Sequence, residues 1–177
     1  MDPKSIKIMM SNESDNWGTP KWFVEKLEEL LILKFNLDPC ASSENSKCEK
    51  FFTEKEDGLL QDWSGYNVFV NPPYSKIKEW IKKCVSESEK PNTNVIVLVP
   101  ARTDTKWFHD FCLNYDNNCF LMFVKGRLKF ELPSKTKNTA PFPSVVCVFR
   151  KHQYKNIINN GVNICQINNK PLNATKL

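Results

Sequence analysis

Five consecutive apolar residues, Val95-Ile-Val-Leu-Val99, constrain the fold of this chain more than any other feature of its sequence. An apolar run without polar alternation is typical of a strand buried on both faces, as in a parallel sheet that helices cover from both sides. Further apolar runs at 67–70, 119–124 and 144–149 predict neighbouring strands. A sheet of at least four strands is therefore expected.

Apolar residues at helical spacing lie between these runs. The stripe over 20–31 predicts an amphipathic helix with Thr19 as its cap and a proline in its first turn. A second helix is expected after Ser75, with its apolar face over 77–85, and a short one over 106–113. Because strands and helices alternate, we predict an α/β sandwich with a mainly parallel sheet and helices on both faces.

Length and composition predict a single domain. The 177 residues, 41% of them hydrophobic, suffice for one compact core, which we assign to residues 17–177. The polar residues 1–16 are expected to be a flexible N-terminus. No stretch approaches the roughly 20 apolar residues that cross a bilayer, and the N-terminus lacks the apolar core of a signal peptide. We therefore expect a cytoplasmic protein without a membrane partner.

Charge and cysteine content narrow the range of ligands. The formal net charge of +5 permits a polyanionic partner without requiring one. The seven cysteines include no C-x-x-C pair, which disfavours a zinc site or a redox dithiol, so no metal is expected. Several cysteines lie in apolar runs, where they are expected to be small buried side chains.

The sequence Asn71-Pro-Pro-Tyr74 directly follows the predicted strand at 67–70. Each proline fixes its own φ and holds the preceding residue extended. Neither proline has an N–H, so the turn presents two acceptors, the side-chain oxygen of Asn71 and the carbonyl of Pro72, beside an aromatic ring. In open α/β sheets ligands bind at this end of the strands. The alternative is a proline-rich turn that only joins a strand to a helix.

Such a turn is complementary to an exocyclic amino group on a flat heterocycle. The amine has two N–H donors for the two acceptors, and the ring can stack on Tyr74. Acceptance of both hydrogen bonds would localise the nitrogen lone pair, which could then attack an electrophilic methyl group without a strong base. The presence of only two histidines agrees with such a reaction.

A second distinctive turn, Asp38-Pro-Cys-Ala41, follows a short predicted strand at 34–38. Because the carboxyl ends of parallel strands lie along one side of a sheet, this turn and the one at 71–74 are expected to form one site. Asp38 could alternatively do no more than initiate the turn.

Six motifs in order resemble those of one protein family, from about residue 17 to 149. They are Trp17-Gly-Thr-Pro20, Leu37-Asp-Pro-Cys-Ala-Ser42, Asp57-Gly-Leu-Leu-Gln-Asp-Trp63, Asn71-Pro-Pro-Tyr74, Pro100-Ala-Arg-Thr-Asp-Thr-Lys-Trp-Phe-His109 and Gly126-Arg-Leu-Lys-Phe130. The chain resembles the phage-type DNA N6-adenine methyltransferases, the Dam family of bacteriophages and prophages. The resemblance implies a Rossmann-like fold, S-adenosylmethionine as cofactor, and methylation of adenine N6 in double-stranded DNA after base flipping.

The resemblance also implies residue roles. Asn71, Pro72 and Tyr74 would hold and activate adenine, and Asp38 would be the partner of the cofactor's ammonium group. The catalytic set is then Asn71, Pro72, Pro73 and Tyr74. The set expected to bind the cofactor is Trp17, Thr19, Pro20, Asp38, Pro39, Cys40, Ala41, Asp57, Asp62 and Asn71.

Some of these roles stay open. Asp57 and Asp62 are both candidates for contacts to ribose or adenine, although Asp62 could instead cap a turn, and Trp17 could simply anchor the first helix. The chain departs from many methyltransferases in having Asp-Pro-Cys-Ala-Ser in place of a glycine-rich turn after its first strand, which leaves the detailed cofactor contacts undecided.

Basic residues in three segments are candidates for binding phosphates, which any enzyme acting on a flipped base must grip. They are Arg102, Lys106, Arg127, Lys129, Lys135 and Lys137. The chain has no room for a large separate recognition domain, so any reading of DNA sequence is expected from these loops.

Two other functions use the same features. The Asn-Pro-Pro-Tyr motif also occurs in methyltransferases that act on a glutamine side-chain amide in proteins or on guanine in RNA. A catalytically silent nucleic-acid-binding module with the same fold is a third possibility, which the intact Asn71 and Tyr74 disfavour. The target sequence, the oligomeric state and the biological role do not follow from the sequence. A phage-encoded enzyme would work in the cytoplasm of a bacterial host.

Overall fold

The computed structural model describes residues 18–114, 116, 118–131, 137–150, 163–168 and 170. The expected flexible segment 1–16, Trp17 and Lys135 lie outside the described residues, as does the side chain of Lys137. The strands are β1 Leu37–Asp38, β2 Lys50–Phe51, β3 Asn67–Val70, β4 Asn94–Pro100, β5 Cys119–Lys125, β6 Lys129–Glu131, β7 Lys137–Thr139, β8 Ser144–Arg150 and β9 Asn163–Asn168. The helices are α1 Lys21–Leu31 and α2 Ile77–Ser88, with a 3-10 turn at Tyr74–Lys76 and a π-helix at Phe108–Cys112.

The main sheet has seven strands in the order β2-β1-β3-β4-β8-β5-β9. Strands β1 to β4 are parallel neighbours, and β9 is parallel to β5. Strand β8 runs antiparallel to both β4 and β5, between which it is inserted. The strands β6 and β7 form a separate antiparallel pair. The predicted fold class, a mainly parallel α/β sandwich, is confirmed.

Each face of the sheet is buried against helices. On one face, α1 packs its Phe23 and Leu27 against sheet residues that include Leu98. On the other, α2 and the π-helix cover residues that include Val97 and Val99. The five residues of the apolar run 95–99 are all fully buried, and they alternate between the two cores. This is the reason for the absence of polar alternation in that run.

The topology divides the polar residues between two rims. We call "carboxyl rim" the ends of β1, β3, β4 and β5 together with the start of β8, because β8 runs in the opposite direction. The "amino rim" contains the starts of β3 and β4 and the end of β8, where Asn67, Asn94 and Arg150 lie in register. Helix α1 begins near the carboxyl rim, since Gly18 pairs with Glu131, and ends near Arg150, whose Nη1 donates to the Leu31 carbonyl.

Both predicted helix caps are wrong. Pro20 occupies the N-cap of α1, where its carbonyl accepts the N–H groups of Phe23 and Val24, and no side chain caps the helix. Ser75 lies inside the 3-10 turn that precedes α2, so Lys76 becomes the N-cap. Before α2 the 3-10 turn takes the place of the predicted cap, whereas α1 starts from the extended backbone of Pro20.

Two further elements differ from expectation. The short helix predicted over 106–113 is mainly a π-helix at Phe108–Cys112. The segment 132–143, expected to be a loop, contains β7, which pairs with β6. Hairpin pairing of this kind depends on contacts with a partner strand, and the polar composition of the segment gives no signal of it.

Candidate active site at the carboxyl rim

The Asn71-Pro-Pro-Tyr turn follows β3 directly at the carboxyl rim. Pro72 is buried, whereas Asn71 and Tyr74 are half-buried and therefore within reach of a ligand. The Tyr74 hydroxyl donates a hydrogen bond to Oδ1 of Asn71 at 3.3 Å. This contact orients the carboxamide of Asn71 beside the ring of Tyr74.

The ring of Tyr74 is held by Phe142. The two ring centroids are 5.4 Å apart with the planes at 81°, an edge-to-face contact that aromatic pairs favour. Phe142 is buried and lies just before β8. It links the turn after β3 to the start of β8, and sequence reasoning missed it because the segment was taken as a loop.

Asp38 ends β1 and is a buried carboxylate, with 5% of its surface exposed. It accepts backbone N–H groups of Lys47 at 3.1 Å and of Cys40 at 3.5 Å. Burial raises the pKa of Asp38 to about 6, although these hydrogen bonds act in the opposite direction. Among the described residues Asp38 forms no ion pair, and the charge of Lys47 is the weakest of the effects that lower its pKa. The site therefore fits a ligand that carries a positive charge.

Three of the predicted segments meet at this rim. The backbone N–H of Asn71 donates to the thiol of Cys40, which joins the turn after β1 to the turn after β3. Gly58 lies directly on the carbonyl of Pro39, where a Cβ atom would come within 1.8 Å of the oxygen. Only glycine permits this approach, so the segment containing Asp57 is held against the Asp38 turn.

The two acidic candidates in the segment 57–62 are placed differently. Asp57 is half-buried, has a left-handed φ of 48°, and accepts the N–H of Leu59 at 3.1 Å. Asp62 is exposed and pairs with Lys90 at 2.7 Å. Hydrogen bonds from Lys90 and Ser64 hold the pKa of Asp62 well below its usual range. The structure brings Asp57 close to the Asp38 turn and leaves Asp62 towards the amino rim.

The entry into α1 is tied to the same rim. Gly18 exchanges two backbone hydrogen bonds with Glu131, at 2.9 and 2.8 Å, and a Cβ on Gly18 would come within 2.9 Å of the Glu131 carbonyl oxygen. The next residue, Thr19, is 1% exposed. Among the described residues its hydroxyl has no hydrogen-bond partner, and the hydroxyl of Ser144 shares this property. Ser144 was not a sequence candidate.

Three buried polar groups at the carboxyl rim, those of Thr19, Ser144 and Asp38, suit a polar cofactor. Buried hydroxyl groups without partners are rare in folded proteins, since each costs about 1–3 kcal/mol. A buried carboxylate without an ion pair is similarly unfavourable. All three groups lie at the carboxyl rim. They suit a ligand with an ammonium group and several hydrogen-bonding atoms, as S-adenosylmethionine has.

The basic candidates surround the rim. Arg102 and Lys106 follow β4, Arg127 follows β5, and Lys129 begins β6. All four side chains are exposed. Lys106 pairs with Asp110 at 3.0 Å. Lys137 starts β7.

A solved structure supports the fold. The chain aligns with a structure described as a class I S-adenosylmethionine-dependent methyltransferase from Listeria monocytogenes, with a TM-score of 0.57 and 13% identity. The alignment covers 96% of this chain and 71% of the other. The fold is therefore that of the class I S-adenosylmethionine-dependent methyltransferases.

Sequence comparison identifies the family within this class. Residues 7–171 match the family described as DNA N-6-adenine-methyltransferase, or Dam, and the chain belongs to this family. A protein of Haemophilus phage HP1 with that name is 28% identical over 166 residues, which cover 90% of this chain and 92% of the relative. Another, from Escherichia phage T1, is 40% identical over 96 residues, which cover 53% of this chain and 39% of the relative.

Family membership confirms the main functional predictions. The chain is an enzyme that transfers a methyl group from S-adenosylmethionine to N6 of adenine in DNA, and its relatives agree with the predicted phage type. The alternatives of a protein glutamine or an RNA guanine substrate are not favoured. The roles of individual residues stay predictions.

Proposed function

We propose that this enzyme methylates adenine at specific sites in double-stranded DNA, after the base has been turned out of the duplex into the carboxyl rim. Adenine N6 is inaccessible within a stacked duplex, so the base must leave the stack to reach Asn71. The exposed residues Arg102, Lys106, Arg127 and Lys129 surround the same rim and suit contacts to phosphates. Lys135 and Lys137 are proposed to extend this basic surface.

The turn at 71–74 supplies the groups that activate the amine. Oδ1 of Asn71 and the carbonyl of Pro72 accept the two N–H groups of adenine N6, and the ring of Tyr74 stacks on the base. Tyr74 is already fixed by Phe142 and bonded to Asn71. The two acceptors are thus preorganised where positive charge develops on nitrogen, which lowers the barrier without a strong base.

The cofactor pocket is proposed around the Asp38 turn. Asp38 binds the ammonium group, while Pro39, Cys40 and Ala41 line the pocket. Thr19 and Pro20, at the start of α1, close it from the adjacent side together with Trp17. Asp57, held near Pro39 by the contact of Gly58, is preferred over the distant Asp62 for the ribose or adenine contact. S-adenosylmethionine supplies the electrophilic methyl group when it is bound.

The described residues include no helix that is long and apolar enough to cross a membrane. The cytoplasm of a bacterial host is the compartment we propose, since both the DNA and the cofactor are available there.

The observation that carries this proposal is the meeting of Asn71, Tyr74 and the buried Asp38 at one rim. The test is transfer of tritium from labelled S-adenosylmethionine to unmethylated plasmid DNA, followed by digestion to nucleosides and chromatography. We expect label in N6-methyldeoxyadenosine, at positions whose mapping gives the target sequence. The Asn71→Ala variant should lose about 1,000-fold in rate because one of the two acceptors is missing.

A pair of variants at one position provides the matched control. The Tyr74→Phe variant keeps the stacking surface and loses only the hydrogen bond to Asn71, so its rate should fall by less than about tenfold. The Tyr74→Ala variant also loses stacking and should fall by roughly 10- to 100-fold. Equal rates for the two variants would rule out stacking by Tyr74. Absence of label in DNA despite cofactor binding would rule out the proposed substrate.

A further inference from the structure

The structure leaves two buried side-chain oxygens without a hydrogen-bond partner in the part of the chain it describes, Oγ1 of Thr19 and Oγ of Ser144. Each residue is 1% exposed. Buried hydroxyl groups in folded proteins are nearly always bonded, so an exception calls for a missing partner. Both groups lie at the carboxyl rim, and Thr19 is already assigned to the cofactor pocket. Ser144 has no assigned role.

Ser144 lies on the face of the sheet that α1 covers. It is the first residue of β8 and is paired with Pro100, the last residue of the neighbouring strand β4. Side chains alternate along a strand, and Val146, two positions further on, belongs to the core beneath α1. Phe142 lies just before Ser144, and its ring contacts Tyr74. The Ser144 hydroxyl therefore lies in the same part of the rim as the ring proposed to stack on adenine.

The strand order separates the two ends of the site. Along the rim, the sequence of strands is β1, β3, β4, β8, so Asp38 and Ser144 lie on opposite sides of Asn71. If Asp38 binds the cofactor, Ser144 is at the end where the target base must lie. Asn71 and Ser144 are two strands apart, about 10 Å across the sheet, which is room for a flat heterocycle with a hydrogen bond at each side.

We propose that the Ser144 hydroxyl donates a hydrogen bond to a ring nitrogen of the flipped adenine, N1 or N7, next to the reacting amino group. The inference rests on the proposed function of the turn at 71–74. Both ring nitrogens are acceptors, whereas Asn71 and Pro72 provide acceptors for the amine, so a donor is the complement that the site otherwise needs. Guanine carries a carbonyl in place of the amine, which the acceptors of Asn71 and Pro72 do not fit. Ser144 is thus a residue that binds and orients the target base, while the turn at 71–74 excludes guanine.

The test compares the Ser144→Ala variant with the wild type on oligonucleotide duplexes that contain adenine, 1-deazaadenine or 7-deazaadenine at the mapped target. On adenine, the variant should lose about tenfold in kcat/KM, the effect of one hydrogen bond, with the affinity for S-adenosylmethionine unchanged. The wild type should lose a similar factor on one of the two deaza substrates. On that substrate the variant should show no additional loss, because the partner atom is already missing.

Ser88→Ala is the matched control. Ser88 is also buried, but its hydroxyl donates to the Val85 carbonyl at 2.7 Å, near the end of α2. Its removal should lower the melting temperature by a few degrees and leave kcat/KM unchanged. Removal of the Ser144 hydroxyl, which has no partner to lose among the described residues, should leave the melting temperature unchanged or raise it.

The outcomes separate this inference from the proposed function. A wild type that does not methylate adenine in DNA would contradict the proposed function itself. A wild type that methylates adenine, and that is as active on both deaza substrates as on adenine, would overturn the role of Ser144. This holds whatever the variant does. An unchanged kcat/KM for Ser144→Ala, or a loss that comes entirely from weaker binding of S-adenosylmethionine, would overturn it as well.

Discussion

The two rims of the sheet each bury a carboxylate, and they treat it in opposite ways. Near the amino rim, Glu87 is 3% exposed and lies 2.6 Å from Lys83 and 2.8 Å from Lys90. Burial raises its pKa, but hydrogen bonds from these lysines and from the Trp63 N–H outweigh that effect and lower it. At the carboxyl rim, Asp38 is equally buried but accepts only backbone N–H groups, and its pKa is raised to about 6.

The other polar groups at the two rims show the same contrast. At the amino rim, Arg150 donates through Nε to Oδ1 of Asn94, and Nδ2 of Asn94 donates to Oδ1 of Asn67. At the carboxyl rim, the buried hydroxyls of Thr19 and Ser144 have no partner among the described residues. One rim satisfies its polar groups internally and contributes to stability. The other rim has buried polar groups whose hydrogen bonds a ligand would complete, and these groups lower the stability of the ligand-free protein.

The largest effect that would test this contrast is expected from Asp38→Asn. Loss of the charge should weaken binding of S-adenosylmethionine about 100-fold, since a charge-assisted hydrogen bond to the ammonium is removed. The same change should raise the free energy of unfolding of the ligand-free protein by about 1 kcal/mol at pH 8. Removal of a charge that burial disfavours outweighs the loss of one of the two backbone hydrogen bonds, which the amide nitrogen cannot accept. Isothermal titration and urea unfolding measure the two quantities.

Opposite signs for affinity and stability are the essential result for Asp38. A variant that loses both would show that Asp38 stabilises the turn as an ordinary structural acid. Unchanged affinity would show that the cofactor's ammonium group is bound elsewhere.

The Glu87→Gln variant should give the reverse result. Neutralising Glu87 leaves Lys83 and Lys90 without their carboxylate, and removal of one partner of a buried ion pair is destabilising. We expect a loss of about 2 kcal/mol in unfolding free energy, moderated because both lysines reach solvent. The affinity for S-adenosylmethionine should not change. A weakened affinity would mean that the two rims are coupled through α2 and do not act independently.

The smallest effect is the pH dependence. Because binding of an ammonium group requires ionised Asp38, the affinity for S-adenosylmethionine should fall about tenfold between pH 7 and pH 5, around the pKa of about 6. The Asp38→Asn variant should lack this inflection. Titrations in a series of buffers at constant ionic strength measure it.

The two carboxylates also predict opposite trends in stability. The raised pKa of Asp38 means that its contribution to stability is present below about pH 4 and is lost as the pH rises through 6. The lowered pKa of Glu87 means that its contribution is present above its ordinary pKa and is lost as the pH falls. Differences in unfolding free energy between the wild type and each variant should therefore change with opposite sign, between about pH 4 and 6 for Asp38 and below about pH 4.5 for Glu87.

Sequence reasoning predicted the features whose causes are local. The apolar run at 95–99 indicated a strand buried on both faces, and the structure buries it completely. The prolines after Asn71 indicated a rigid turn of acceptors, which the structure places beside the Asp38 turn. The predicted caps were wrong because α1 begins after Pro20, one residue beyond Thr19, and because a 3-10 turn includes Ser75 before α2.

Backbone preferences, the hydrophobic period and the order of motifs can be read from the sequence without its fold. They predicted the α/β class, the turn at 71–74 and the family resemblance. No sequence pattern predicted that β8 is inserted antiparallel between β4 and β5. This insertion, a property of the tertiary fold, brings Phe142 to Tyr74 and Ser144 to the carboxyl rim. The tertiary fold also pairs Glu87 with lysines, leaves Asp62 far from the Asp38 turn, and buries Asp38 without an ion pair among the described residues. The physical reason is that burial and pairing depend on side chains brought together from distant parts of the chain, and no local pattern records which of them will meet.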